Sequence, residues 1–167
     1  MKKTELTRER LKELLDYDPE TGVFRWRVSR GNKIPAGSLA GCLGGDRYWH
    51  ICIDYKIYAA HRLIWLYHKG VWPKDQIDHI NGDRLDNRVV NLREANNQQN
   101  HMNIGITRAN TSGVRGVSQD RPGGKWRAQI VVQGRQRLLG YFQLKEEAKA
   151  AYDAMAEKHF GEFRRVV

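Results

Sequence analysis

The sequence is poor in cysteine, in long apolar stretches and in acidic residues. Its two cysteines, Cys42 and Cys52, do not form a C-x-x-C pair. That argues against a disulfide scaffold and a cysteine-rich zinc site, and it fits a reducing compartment. Both are expected to be packing residues. No apolar run approaches the ~20 residues needed to cross a bilayer, so no membrane partner is expected. The opening Met1-Lys2-Lys3-Thr4-Glu5 is charged but leads into no apolar stretch, which reads as no secretory signal. Long internal repeats and low-complexity tracts are also lacking. Asp and Glu total 19 against 29 Lys and Arg, a formal net charge of +10. Hydrophobic residues make up 40% of the 167, with five tryptophans, which is enough for a core and excludes a disordered basic tail. The length allows one ordinary domain or two small ones. A soluble, basic, cytoplasmic protein results, and nucleic acid is its leading partner class on charge.

The charge is uneven. Residues 1–106 carry 17 basic and 13 acidic side chains, a net of +4; residues 107–167 carry 12 and 6, a net of +6. The parts meet at a small, polar, aperiodic stretch around Asn103–Gly113, and residues 107–111 read as a linker. In the first part, Leu6, Leu11, Leu14 and Leu15 predict a helix over 7–15, capped by Thr4 or Thr7. A turn at 18–22 and a strand over 23–28 follow, then a glycine-rich loop over 29–47. Strands are predicted at 48–53 and 56–60, and a helix at 61–68 ended by Gly70 and Pro73. A short segment at 76–80, a turn-rich stretch at 81–87, residues 89–93 and a polar helix over 94–102 complete this part. In the second part, strands over 114–119, 125–132 and 136–142 precede a helix over 145–160. Its apolar stripe is read as Ala148, Ala151, Tyr152, Met155 and His159. Trp126, Ala128, Ile130 and Val132 alternate with Arg127, Gln129 and Val131, so one face packs on the helix and a basic face stays open. Such a face fits a DNA major groove, which admits strands; Trp126 reads as core.

The segment richest in chemistry is Asp78-His79-Ile80-Asn81-Gly82-Asp83, then Asn91-Leu92-Arg93, then Asn96 to Asn100. Phosphodiester hydrolysis needs a cation beside the phosphate and a base for water. Asp78 and the Asn100 amide are oxygen ligands of the kind hard cations prefer. His79 titrates near neutrality and can act as the base. Neighbours on an extended strand point to opposite sides, so Asp78 and His79 need a distorted strand or a turn to serve one site.

Taken in order, Ala60-His61-Arg62-Leu63-Ile64-Trp65, Ile77 to Asp83, Asn87, Asn91-Leu92-Arg93 and Asn100 resemble the His-Asn-His (HNH) motif of phage and intron-encoded homing endonucleases. The resemblance implies an α+β chain whose residues 58–106 form a ββα-metal nuclease core. It implies Asp78 and Asn100 as metal ligands, His79 as general base, and Asn91 as the central Asn that ties the loop and orients the base. With Asn100 at the third position, Mg²⁺ or Mn²⁺ is favoured over tightly held zinc. His61 lies outside this trio and reads as structural. Residues 1–57 read as a flank of the nuclease module without a separate activity. His50, His68, His101 and His159 are expected in surface or core roles.

Residues 112–167 contain Gly113-Val114-Arg115-Gly116-Val117, Gly124 to Ile130, Leu139-Gly140-Tyr141-Phe142 and Glu146 to Asp153. These words resemble the DNA-binding domain of plant ethylene-response factors, a three-stranded antiparallel sheet packed on one helix. The resemblance implies that Arg115, Arg127 and Gln129 contact DNA, with Arg121, Arg135 and Arg137 as phosphate or base contacts. Leu138 stands where that family has an aromatic contact. Together the two resemblances imply a phage-encoded, metal-dependent endonuclease acting on double-stranded DNA in the bacterial cytoplasm, by nicking or homing. One site in one chain would nick; a homodimer could cut both strands. The alternatives are a non-catalytic DNA-binding protein on a degenerate HNH scaffold and a nuclease without site preference or acting on RNA.

Overall fold

The computed structural model describes residues 5–106 and 109–163. Thr4, the alternative helix cap, and Thr107 and Arg108 of the expected linker lie outside them. The chain mixes helix and sheet and divides into two compact units, Met1–Ala95 and Asn96–Val167.

In the first unit, α1 (Arg8–Leu14) is capped by Thr7, whose hydroxyl accepts from the Arg10 N–H. Leu11 is fully buried, and at Leu15 the backbone becomes extended. There β1 (Leu15–Asp18) begins, a strand that the leucine spacing hides by extending the apparent helix. β1 pairs antiparallel with β2 (Val23–Trp26). Gly22, at φ 74°, closes their turn, and a Cβ there would come within 2.5 Å of the Asn87–Arg88 backbone. β3 (Cys42–Leu43), β4 (Trp49–Ile53) and β5 (Lys56–Ala59) form an antiparallel sheet within and after the predicted glycine-rich loop. α2 (Ala60–Lys69) follows and ends at Gly70 in the left-handed region. Leu63, Ile64 and Leu66 of α2 join Leu11, Leu15, Phe24, Trp26, Ile51 and Ile53 in one core. Both cysteines are exposed, contrary to the packing role expected of them. Cys52 alternates with the inward Ile51 and Ile53, and Cys42 lies on a two-residue strand whose residues are both exposed.

β6 (Gln76–His79) and β7 (Leu92–Ala95) form an antiparallel hairpin with Asp78 opposite Arg93 and His79 opposite Leu92. A long loop and a 3-10 turn at Val89–Asn91 join them.

The second unit opens with α3 (Asn97–Asn103). Asn96 and Gln99 cap it reciprocally, each side chain accepting from the other's backbone N–H. β8 (Val117–Gln119), β9 (Trp126–Val132) and β10 (Arg135–Phe142) form an antiparallel sheet in the order β10-β9-β8. β8 starts three residues later than expected because Gly113 and Gly116, at φ 71° and 68°, hold the preceding residues in turns. α4 (Lys145–Phe160) packs beneath the sheet. Its buried stripe is Ala148, Tyr152, Ala156 and Phe160, which meets Val117, Ala128, Ile130 and Val132. His159, placed on that stripe by the sequence reading, is exposed. The i, i+4 row through Ala148 runs to Ala156 and Phe160 and bypasses it.

Candidate active site

His79 ends β6 and is 4% exposed. Its Nε2 lies 3.1 Å from Asn87 Oδ1. An amide oxygen only accepts, so Nε2 carries the proton and the basic lone pair of the neutral ring sits on Nδ1. Burial pushes the imidazole below its ordinary value. The Asn87 bond and the carboxylates of Asp78, Asp83 and Asp86 oppose that shift. At neutral pH the ring is therefore uncharged.

Three rings form a triangle here. His61, from the first turn of α2, meets His79 edge-on at 5.3 Å between centroids. Tyr48 lies 5.0 Å from His61 and 6.0 Å from His79. The Arg84 guanidinium sits over Tyr48 at 4.9 Å and is tethered through Nη1 to the Asp46 carbonyl. His61 is 8% exposed, and its buried Nδ1 has no hydrogen-bond partner among the described residues. Burial, then the neighbouring His79, lowers its pKa to about 3.

The loop between β6 and β7 is tied by side-chain amides. Asn91 Oδ1 accepts from the Asn81 N–H at 3.0 Å. Asn91 Nδ2 donates to Asn81 Oδ1 at 3.0 Å and to the Asp86 carbonyl at 2.8 Å. Asp86, bound by Arg88 and by Asn81 Nδ2, has its carboxyl lowered to about 2, chiefly by the Arg88 hydrogen bond. Gly82, at φ 74°, allows the turn in which its N–H reaches the His79 carbonyl at 2.7 Å. The Tyr17 hydroxyl braces the far side. It donates to the Asn87 carbonyl at 3.0 Å and accepts from the Val89 N–H at 2.9 Å.

Asp78 is 4% exposed, and its Oδ2 accepts from Arg93 Nε at 2.9 Å and pairs with Nη2 at 2.8 Å. The ladder runs without a shift through Asp78 and His79, so their side chains leave the ribbon on opposite faces. The chain turns immediately after His79. Asp78, His79 and Asn91 thus belong to one hairpin and its loop, while Asn100 stands half-buried on α3 in the second unit. Among the described residues no three His, Cys, Asp or Glu side chains group to hold a metal. The buried carboxylate of Asp78 is an oxygen donor of the kind hard cations prefer, and here it is paired with Arg93.

Sequence reasoning assigned no role to Asn87, Tyr48, Arg93 or Tyr17. Asn87 and Arg93 stood among the motif words and could have been found there; Tyr48 and Tyr17 reach the site only through tertiary packing. Of the other histidines, His50 bonds Asp46 at 2.9 Å, His68 packs edge-on against Tyr17, and His101 and His159 are exposed.

In the second unit, Arg127 and Gln129 lie on the sheet face turned away from α4, each half-buried. The buried Nε of Arg127 has no hydrogen-bond partner among the described residues. Arg115 donates from Nη1 to the His101 carbonyl. Arg121 is exposed between β8 and β9. Arg135 and Arg137 are exposed but stand opposite Val132 and Ile130, on the α4 side of the ribbon.

Residues 58–102 match the HNH endonuclease family. Protein 3.8 of Escherichia phage T7 is 33% identical over 112 residues, which cover 66% of this chain and 92% of that protein. A protein named uncharacterized HNH endonuclease L560, of Acanthamoeba polyphaga mimivirus, is 37% identical over 121 residues. That alignment covers 71% of this chain and 62% of the mimivirus protein, under two thirds of its length. No solved structure matches.

Proposed function

We propose that this chain, which belongs to the HNH endonuclease family, hydrolyses phosphodiester bonds of duplex DNA with a divalent metal and with site preference, as a nicking or homing enzyme. The observation that carries this reading is the buried, neutral His79, with Nε2 anchored on Asn87 and Nδ1 as its basic nitrogen. In this reading Nδ1 takes the proton of the attacking water. Asn91 acts through the loop, as a positioning residue that keeps the segment bearing Asn87 in register. Asp78 would be an oxygen ligand for Mg²⁺ or Mn²⁺, with Asn100 the second residue assigned that role from the sequence. A cation bound there would neutralise charge on the phosphate and on the departing 3′ oxygen. Products then carry 5′-phosphate and 3′-hydroxyl ends.

The second unit is read as the ethylene-response-factor-like grip on duplex DNA. A three-stranded sheet with α4 on one face and Arg127 and Gln129 on the other supports this. Arg115, Arg121, Arg135 and Arg137 then serve mainly phosphates. A phage relative and a high basic charge favour action on DNA in the host cytoplasm.

Plasmid nicking in Mg²⁺ tests the catalytic assignment. His79→Ala is expected to slow nicking by about 10²–10⁴-fold, the usual contribution of a positioned base. Equal rates for variant and parent would show that the base is elsewhere. A parent that retains duplex DNA but never cuts would favour the non-catalytic alternative.

A further inference from the structure

The inference rests on the DNA-contacting reading of the second unit and concerns which base pairs its sheet takes. On the face away from α4, the β9–β10 register sets Arg127 opposite Tyr141, Gln129 opposite Leu138 and Val131 opposite Gln136. Gln136 Nε2 donates to Gln129 Oε1, which joins the two carboxamides into one group. Leu138, Val131 and Tyr141 are 57%, 51% and 51% exposed and share that face. Among the described residues of β9 and β10, Arg127 is the one arginine on it, because the register turns Arg135 and Arg137 to the other side.

A cavity of about 640 Å³ opens beside this face. Asn97, Gln98 and His101 of α3 line it together with Arg115, Gln129 and Gln136, and none of its lining residues is acidic. Gln98 itself bridges the hairpin end, donating to the Val131 carbonyl and accepting from the Gln133 N–H. Side-chain amides of Asn97, Gln98, Gln129 and Gln136 therefore converge beside the single guanidinium of Arg115.

The major groove distinguishes base pairs by donors, acceptors and the thymine methyl. Guanine is read mainly by Arg or Lys, adenine by the carboxamide of Asn or Gln, and thymine by apolar contact. We propose that this face selects A·T base pairs, with Gln129 and Gln136 on the adenine N6/N7 edge and Leu138 and Val131 against the thymine methyl.

The test is selection of duplexes from a randomised library by the full chain in EDTA, followed by sequencing of the retained DNA. Enrichment of adjacent A·T pairs is expected. Gln129→Ala and Gln136→Ala, each confirmed to melt as the parent does, should each lower the preference for A·T about tenfold, the discrimination one bidentate contact gives. Leu138→Arg should admit a G·C pair at one selected position. Enrichment of G·C by the parent, or no base preference with duplex retained, overturns the proposal. An unchanged preference in both glutamine variants overturns it as well. If the chain retains no duplex at all, the DNA-contacting reading of the sheet fails first, and total retention reads this separately from sequence preference.

Discussion

Asn91 commits both ends of its carboxamide to the loop that follows His79. Asn91→Ala should destabilise the protein by about 2 kcal/mol, because it leaves a partly buried N–H and a carbonyl unpaired. Urea unfolding at pH 7 measures this, and nicking should weaken as well, since Asn87 rides on the same segment. His61 governs a different property. Its folded-state pKa of about 3 lies below the ordinary 6.5. Between those values the unfolded chain binds a proton there that the folded chain refuses. Stability therefore falls as the pH drops through that window, and His61→Phe should flatten the slope between pH ~6.5 and ~4 in unfolding titrations. Asp78 and His79 stood out in the sequence as an oxygen donor beside an imidazole, and Asn91 only through the resemblance to the HNH motif. The ring triangle was not, because Tyr48 and His61 reach His79 from separate elements and no local spacing encodes that meeting.

Among the elements, β9 could be read from the residues, since alternation fixes its buried face, while α4 was legible as a helix but only Ala148 and Tyr152 of its expected stripe are buried, Ala156 and Phe160 having been missed. β1 could not, since its four residues continue a leucine pattern that also suits a helix. β3 could not either, being two residues inside a glycine-rich stretch. The start of β8 is set by a backbone contact. Gly116 has φ 68°, and a Cβ there would stand 2.3 Å from the Tyr152 ring and 2.4 Å from the Gln129 carbonyl. Both atoms are held, the carbonyl within β9 and the ring in the core of α4. Gly116→Ala should therefore cost more than about 2 kcal/mol, the range of backbone-incompatible and overpacked substitutions. Thermal unfolding followed by circular dichroism should show the loss, and Gly123→Ala, where a Cβ meets nothing within 4 Å, should cost clearly less.

At the scale of the whole molecule, net charge was the plainest message of the sequence, while the division after Ala95 was not foreseen, because α3 follows β7 with almost no connecting chain. With a net charge of +10, duplex affinity should fall at least tenfold between about 50 and 200 mM salt, because released counterions drive such binding. A flat salt response in fluorescence anisotropy would contradict phosphate gripping. The Tyr17 hydroxyl bears on how such a protein could be trimmed or shuffled. It lies seventy residues upstream of the Asn87 carbonyl it bonds, outside the 58–102 stretch matched to the family. A minimal cassette cut at those limits would lack its buttress, and grafting the motif into another host requires carrying the amino-terminal hairpin along.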